Sequence, residues 1–275
     1  MTKYPRFSVL MSVYKNEKAD SFDDCLASIA AQSLAPSEVV IVLDGPVSED
    51  ILVLIANYRD KLNITEVPLI ENVGLGSALN IGMRYCKSDV IVRMDTDDIC
   101  DADRFYKQIN YMGSNPNISL LGSAVEEFNE DFSISHCVKF SVMEHNAILK
   151  YAKTRNPFNH MSVAFKKDDI LSVGGYIDHK YMEDYNLWLR VLAHGYQTHN
   201  LEDVLVYVRA GDAMISRRKG RDYIKSEYKL LKLKIDLGID RKFHAIIIFI
   251  ARSLPRILPV YILKYMYSFL RKNRT

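Results

Sequence analysis

The sequence predicts an α/β protein with a mostly parallel sheet flanked by helices, followed by a C-terminal helical appendage that is basic and apolar. Two observations predict the sheet. Short apolar runs alternate with segments of helical periodicity through the N-terminal part of the chain, at a spacing typical of β-α-β units. Two of these runs end abruptly in aspartates, and ligands bind at the carboxyl ends of the strands in such sheets. A third observation, the distribution of charge along the chain, predicts the appendage.

Each predicted element has a local signal. The first apolar run, Phe7 to Val13, is typical of a buried strand. Ser21 and Asp24 then have the positions of an N-cap and of a capping-box acid at the start of a helix. Further strands are predicted at residues 38–43, 65–70, 89–94, 119–125 and 161–165. Helices are predicted at residues 21–32, at 50–58, from the loop at 71–76 up to residue 85, at 184–194 and at 221–237.

The small net charge hides two regions of opposite sign. The 275-residue chain has 36 Lys and Arg against 34 Asp and Glu, a formal charge of +2. Residues 217–275 contain 16 basic and 4 acidic residues, which gives +12, whereas residues 1–216 contain 20 basic and 30 acidic residues, which gives −10. Regions of opposite sign usually have different partners, so we expect a boundary between residues 1–218 and residues 219–275. With 48% hydrophobic and 25% charged residues, the composition is that of a globular protein.

The cysteines and the apolar runs exclude other classes of protein. Cys25, Cys86, Cys100 and Cys137 are scattered without a CxxC pair, so we expect neither a zinc site nor a disulfide framework, and free thiols suit a reducing cytosol. The N-terminal apolar run lacks the long core of a signal peptide. The longest uncharged apolar run, residues 243–251, is too short for a transmembrane helix, and none is predicted.

An acidic run, Asp95-Thr96-Asp97-Asp98, follows the apolar strand at residues 89–94. Carboxylates this close repel one another unless a cation or hydrogen-bond donors balance their charge. Because a second strand ends in Asp44, we expect both acidic sites at one edge of the sheet. Hard oxygen ligands of this kind suit Mg²⁺ or Mn²⁺. A solvated loop with an Asp as helix N-cap would also explain the run.

Three other interpretations of these motifs each require particular residues. An EF-hand beginning at Asp95 would need Gly and Glu where Cys100 and Tyr106 stand, and is excluded. A dinucleotide-binding loop would need a third glycine where Leu79 follows Gly74-Leu75-Gly76, and is also excluded. An aspartyl-phosphate phosphatase would use Asp95 as its nucleophile but needs a second acidic motif that is not found. It stays as a less favoured alternative.

Residues 7–218 resemble the nucleotide-sugar glycosyltransferases of the GT-A fold, in the large inverting family 2. A DxD run alone is a weak signal, whereas six motifs in the order and spacing of the family are a strong one. The motifs that carry the resemblance are Phe7 to Tyr14 with Asn16-Glu17, Ser28 to Ser33, Val40 to Gly45, Asn72 to Asn80, Asp95 to Asp98, and Glu183-Asp184 before Leu187 to Arg190.

The resemblance implies a GT-A catalytic domain over residues 1–218 that takes a hexose from a UDP-sugar, with UDP-glucose or UDP-galactose favoured. Mn²⁺ or Mg²⁺ held by Asp97 and Asp95 would neutralise the charge of the UDP leaving group. Asp98 would support these two residues or cap the following helix. The residues implied to bind the nucleotide are Val13, Tyr14, Glu17, Asp44, Asn72, Arg93, Asp95 and Asp97.

The resemblance also implies a general base, because inversion by direct displacement needs a group that removes the proton of the acceptor hydroxyl. Asp184 matches that position, with Glu183 beside it, although both acids also suit the first turn of a helix. The acceptor contacts implied are His160 and Trp188. At the position where the family often has a metal-binding His, this chain has Ala210-Gly211, and the basic run 216–219 is the alternative contact with the pyrophosphate.

The C-terminal region is predicted to associate with membranes. Residues 241–275 alternate short apolar stretches with Lys, Arg and Tyr, which is typical of helices that lie on an anionic lipid surface. With the family, this implies an acceptor sugar carried on a lipid diphosphate, as in assembly of bacterial surface polysaccharide (O-antigen type) repeat units. The protein would then be cytoplasmic and peripheral on the inner face of the cell membrane. Packing of these helices on the catalytic domain, or across a homodimer, is the alternative.

Two further expectations complete the prediction. Nucleic acid is not expected as a partner, because the basic segment is too apolar. The contrasting function is a non-catalytic nucleotide-sugar-binding protein of the same fold.

Overall fold

The protein was analysed as a computed structural model, which describes residues 5–210 and 220–254. The strands are β1 (Phe7–Val13), β2 (Glu38–Leu43), β3 (Ile64–Pro68), β4 (Val90–Arg93), β5 (Ile99–Cys100), β6 (Ile118–Phe128), β7 (Ser135–Lys139), β8 (Ala164–Lys166) and β9 (Gln197–Arg209). The helices are α1 (Ala19–Ala30), α2 (Glu49–Tyr58), α3 (Leu75–Tyr85), α4 (Arg104–Ser114), α5 (His145–Tyr151), α6 (Lys167–Ser172), α7 (Glu183–Ala193), α8 (Arg221–Asp236) and α9 (Lys242–Ser253), with a 3-10 turn at His160–Ser162.

One sheet runs through the described residues in the order β3-β2-β1-β4-β8-β6-β9-β5, and β7 pairs with β6. The first four strands of this order are parallel, which follows from the α-helical crossovers that join them. The strand β8 pairs antiparallel with β4, and β6 is parallel to β9. The predicted α/β architecture is therefore confirmed, with a parallel N-terminal half and a mixed second half.

The register brings the strand ends together. Val13 pairs with Leu43 across β1 and β2, and Leu10 pairs with Arg93 across β1 and β4. Since parallel strands end at the same edge, the residues that follow β1, β2 and β4 share one side of the sheet. The predicted meeting of Asp44 with the acidic run at this edge follows from that register.

Two apolar cores hold the sheet from its two faces. Alternate residues of β1 point to opposite sides, so Val9 lies in the core with α1 and α4, and Leu10 lies in the core with α3 and α7. The buried strands β1 and β2 are almost continuously apolar because both of their faces are covered.

Several boundaries differ from the predicted ones. The helix α1 begins at Ala19 with Lys18 as the N-cap residue, so the prediction of Ser21 as N-cap is wrong. Ser21 is buried inside the first turn instead. The strand β3 ends at Pro68. Ile70, the predicted last residue of this strand, lies outside it and is 98% exposed. A strand as short as β5 has no periodicity to read, and it forms because it pairs with the distant β9.

The described part of the basic C-terminal region packs on the α/β domain. Tyr223 and Leu230 of α8 are buried in the same core as α7. The helix α9 lies against α8, where Arg252 pairs with the buried carboxylate of Glu227 at 2.7 Å. Within residues 5–210 and 220–254, no helix has the length and apolarity needed to cross a membrane.

Candidate active site

Four carboxyl groups crowd the edge of the sheet where β4 ends: Glu17, Asp95, Asp97 and Asp98. Burial, together with the charges of Asp95 and Glu17, raises the pKa of Asp97 to about 6. Burial and the neighbouring aspartates also raise the pKa of Asp98, and burial raises that of Glu17. Raised pKa values of this origin show that the protein alone leaves the negative charge poorly balanced.

The acidic run is fixed from both sides. The Thr96 hydroxyl donates to the carboxylate of Glu17. The backbone N–H of Arg209, at the end of β9, donates to Asp98 Oδ1 at 3.0 Å, and its Nε donates to the carbonyl of Asp97 at 3.1 Å. Asp98 is 1% exposed, so its carboxylate holds the loop from the inside of the protein.

A divalent cation fits this donor set in one specific way. In the part of the chain that the structure describes, no three His, Cys, Asp or Glu side chains are grouped so as to hold a metal ion by themselves. Mg²⁺ and Mn²⁺ in phosphate-handling sites usually take one or two protein carboxylates and complete their coordination with water and substrate phosphates. Asp97 and Asp95 are both partly exposed and can supply those carboxylates.

Arg93 lies beneath the acidic run as a buried cation. Its side chain is 1% exposed and its Nη2 pairs with Asp95. Its Nε and Nη1 are buried and have no hydrogen-bond acceptor among the described residues. A guanidinium has five N–H donors, and Nε and Nη1 carry three of them. Leaving these buried donors unpaired is costly, so this arginine is suited to an oxygen-rich ligand.

Asp44 organises the loop between β3 and α3. It is 4% exposed, and its Oδ1 accepts from the Val73 N–H at 2.7 Å. Its Oδ2 accepts from Asn72 Nδ2 at 2.8 Å and from the Gly74 N–H at 3.1 Å. Gly45 has φ +83, and a Cβ there would stand 2.8 Å from the Asn72 nitrogen, so only glycine allows this close approach. Asp44 and Asn72 thus contact each other, and binding of a nucleotide by either residue stays a prediction.

The remaining predicted nucleotide contacts follow β1. Val13 is buried in the sheet, and Tyr14 is 38% exposed at the strand end. The Glu17 N–H donates to the Tyr14 carbonyl at 3.0 Å and closes a turn that directs Glu17 toward Thr96.

The acid pair Glu183-Asp184 forms the first turn of α7. Asp184 Oδ2 accepts from Asn156 Nδ2 at 2.6 Å, and its Oδ1 accepts from the Tyr185 N–H at 2.7 Å. Burial and the charge of Asp184 raise the pKa of Glu183 to about 7, and Arg93 acts in the opposite direction. The charge of Asp95 acts in the same direction as that of Asp184 and raises the pKa of Glu183 further.

His160 bonds to a neighbour within the site. Its Nε2 lies 2.7 Å from the Tyr176 hydroxyl. Burial and the charge of Arg93 hold the pKa of His160 well below its usual range, so the ring is neutral. His160 is only half-buried and keeps some surface for a ligand.

The structure differs from the expectation at Trp188. Its side chain is fully buried, with its ring 5.7 Å from Phe158 and 6.0 Å from His160. A residue with no exposed surface shapes an acceptor pocket only through its neighbours, so the expected direct contact is corrected to packing behind His160.

Asn156, Tyr176 and Arg209 contact the candidate site, and none of the three was given a role of its own from the sequence, although Asn156 and Arg209 lie in segments that resemble the family. Each acts through a partner that is distant in sequence, and single-sequence patterns carry no signal for such pairs. The polar Asn156, after a basic turn and before a proline, is the nearest to a visible cue. Gly211 and residues 216–219, considered as contacts of the metal or the pyrophosphate, lie outside the described residues, as do residues 255–275.

Comparison with known proteins identifies the family. Residues 8–174 match the sequence profile described as Glycosyl transferase family 2. The chain belongs to this family. The glycosyltransferase AmsE of amylovoran biosynthesis from Erwinia amylovora is 44% identical over 97% of this chain and 100% of its own length. A UDP-Gal:alpha-D-GlcNAc-diphosphoundecaprenol beta-1,3-galactosyltransferase from Escherichia coli is 39% identical over 96% of each chain.

Solved structures bear out the fold of this family 2 glycosyltransferase. TarS 1-349 from S. aureus in complex with UDP-GlcNAc superposes with a TM-score of 0.69 at 19% identity, over 91% of this chain and 72% of that one. The mannosyltransferase PcManGT from Pyrobaculum calidifontis, in complex with GDP-Man and Mn²⁺, gives a TM-score of 0.65 at 19% identity, over 98% and 81%. The protein therefore has the GT-A fold, and its family membership makes it a glycosyltransferase. This assignment disfavours the phosphatase alternative.

Proposed function

We propose that the enzyme transfers a hexose from a UDP-hexose to a hydroxyl group of a sugar carried on a lipid diphosphate, with inversion at the anomeric carbon. UDP-galactose is the first candidate donor and UDP-glucose the second. The observation that carries the proposal is the acidic run above the buried Arg93 at the carboxyl end of β4, together with the oriented carboxylate of Asp184 at the start of α7. The galactosyltransferase from E. coli, with 39% identity over nearly the whole chain, supports the choice of donor and acceptor.

The donor side of the site is built for a nucleoside diphosphate. The loop at residues 72–74 is held by Asp44, and Tyr14 and Glu17 belong to the turn that follows β1. The unpaired N–H groups on Nε and Nη1 of Arg93 would bind oxygens of the diphosphate or of the transferred sugar. Asp97 and Asp95 would hold Mn²⁺ or Mg²⁺, which when bound supplies positive charge for the departing diphosphate.

The acceptor side provides the proton transfer. Asp184 would accept the proton of the acceptor hydroxyl as its oxygen forms the new bond to the anomeric carbon, while the bond to the UDP oxygen breaks with its electron pair. The Tyr185 N–H and the Asn156 amide hold the Asp184 carboxylate in a fixed orientation during this step. Neutral His160 would line the same side and can exchange hydrogen bonds with acceptor hydroxyls.

The proposal is tested by combining binding with transfer. Thermal unfolding is followed with UDP-galactose, UDP-glucose and GDP-mannose, each with and without Mn²⁺ or Mg²⁺. Transfer is then measured to a GlcNAc-diphosphate-lipid acceptor. We expect a rise of the unfolding midpoint with a UDP-hexose that depends on the metal, and metal-dependent transfer. Stabilisation by GDP-mannose alone would contradict the donor, and binding of UDP-hexoses without transfer to any lipid-linked sugar would favour the non-catalytic alternative.

A further inference from the structure

The helix α9 carries an apolar stripe that nothing in the described chain covers. Its members follow one another at helical spacing, and their exposed fractions are 78% at Phe243, 36% at Ile246, 47% at Ile247, 55% at Ile250 and 63% at Leu254, just beyond the helix end. We refer to these five residues as the α9 stripe. Five large apolar side chains aligned on one face form a contiguous patch, which differs from the scattered exposed apolar residues of ordinary surfaces.

The opposite face of α9 is firmly packed. Ala245 is 3% exposed, and the Phe249 ring lies 6.0 Å from that of Tyr228 on α8. Arg252 pairs with Glu227 and donates to the Thr154 carbonyl at 3.0 Å. The stripe is therefore the outward side of an anchored helix, and packing on α8 does not account for it.

The exposed charges at the start of α9 are basic, and the carboxylate that precedes them, Asp240, is buried and pairs with His244 at 2.6 Å. The helix α9 contains no acidic residue, and Arg241 and Lys242 are exposed at its start. On the neighbouring α8, Lys232 Nζ lies 4.9 Å from the ring of Tyr228, which itself contacts Phe249. Residues 255–275, which continue from the stripe, contain five basic residues and no acidic one.

We propose that the α9 stripe docks on an anionic lipid surface, with its apolar side chains among the acyl chains and the basic rim on the headgroups. The charge pattern selects this occupant. A second copy placed symmetrically on the stripe would bring two basic rims together, whereas anionic headgroups complement them. The helix has 12 residues and a length of about 18 Å, so it lies on the surface and does not cross it.

The packed face of α9 fixes the orientation of the docked enzyme. Thr154, which accepts from Arg252, is two residues before Asn156, and Asn156 donates to Asp184. The stripe is thus tied through a short rigid path to the acid pair of the site. This arrangement suits a lipid-linked acceptor, although the docking proposal does not depend on that acceptor.

Vesicle flotation of the full-length protein tests the proposal without donor or acceptor. The vesicles contain either phosphatidylglycerol mixed with phosphatidylcholine or phosphatidylcholine alone. The double variant Phe243→Glu/Ile247→Glu is compared with the matched control Leu52→Glu/Val53→Glu, which changes two exposed apolar residues of α2. We expect the wild type and the control to float with the anionic vesicles. The stripe variant should bind about tenfold less, and high salt should weaken wild-type binding.

Three results would overturn the proposal. The stripe variant could float as well as the wild type. The wild type could fail to bind anionic vesicles while the stripe variant unfolds at a markedly lower temperature, which would indicate that another part of the chain covers the stripe. Light scattering could show a wild-type dimer that the stripe variant breaks, which would make the stripe an interface between two copies. Equal thermal unfolding of the variant and the wild type excludes a folding defect as the cause of lost binding.

Discussion

The substitution Asp184→Asn removes the proposed base while keeping nearly the same shape. The Tyr185 N–H can still donate to the new side-chain oxygen, as it does to Asp184 Oδ1 at 2.7 Å. The new amide nitrogen would face Asn156 Nδ2, which now donates at 2.6 Å, so the Asn156 amide must turn. Turning it gives up the bond from the Phe158 N–H to Asn156 Oδ1, a long one at 3.3 Å, so the structural cost is small.

The chemical cost of the same substitution is large. A positioned general base contributes about 10²- to 10⁴-fold to the rate, which corresponds to about 3–5 kcal/mol in the barrier. We therefore expect kcat for sugar transfer to fall by that factor, with the donor-induced thermal shift unchanged. Transfer is measured with labelled UDP-hexose and a lipid-diphosphate sugar acceptor. The matched control is Asp168→Asn, the same change at an exposed first-turn position of α6. Transfer within about tenfold of the wild type would refute the role of Asp184 as base.

Three further predictions concern the neighbours of this base. Arg93→Lys keeps a cation beside Asp95 but removes the unpaired N–H groups of Nε and Nη1, so the KM for the UDP-sugar should rise about 10- to 100-fold while the unfolding midpoint changes little. An unchanged KM would show that these N–H groups bind nothing. Burial raises the pKa of Glu183 from 4.5 to about 7, so the folded protein binds the extra proton and loses stability as pH rises through that window. The free energy of unfolding of Glu183→Gln should therefore rise relative to that of the wild type between pH 5 and pH 8, by as much as about 3 kcal/mol, when measured by urea unfolding without metal. A difference between the two proteins that stays constant over this pH range would contradict the raised pKa of Glu183. Asn156→Ala removes the amide that holds one oxygen of the Asp184 carboxylate, so kcat should fall about tenfold while the KM for the UDP-sugar stays unchanged. Asn156→Asp should not restore kcat, because it places a second negative charge beside Asp184.

The elements of the N-terminal half were predictable because their signals are local. The strands β1 and β2 are apolar over their whole length since both of their faces are buried, and the aspartates stand out where burial ends. The start of α1 was misplaced because Ser21 and Asp24 resemble a helix cap. The helix begins earlier, and the Phe22 N–H donates to the carbonyl of the N-cap residue Lys18 at 3.0 Å. The long β9 escaped prediction because its polar residues at 202–203 interrupt the alternation.

The candidate site was predictable in its acids and much less in what holds them. Asp95 and Asp97 stand out because they follow a buried strand, whereas Asp184 is named only through the resemblance to family 2. The carboxylate of Asp184 is oriented by Asn156, and the acidic run is tied to Arg209, through contacts that only the folded chain creates. The sequence also does not show whether a side chain is buried. It therefore could not distinguish a Trp188 that faces a ligand from the Trp188 that lies in the core.

The central claim is direct displacement with Asp184 as the base, and the configuration of the product tests it most directly. The enzyme is supplied with UDP-galactose, whose anomeric bond is α, and a GlcNAc-diphosphate-lipid acceptor. The new glycosidic bond is then assigned by NMR from the coupling between the first two protons of the transferred sugar. Direct displacement predicts a β-linked product, formed by the wild type and lost with Asp184→Asn. An α-linked product would contradict the account, because retention needs a different mechanism and leaves no such role for this carboxylate.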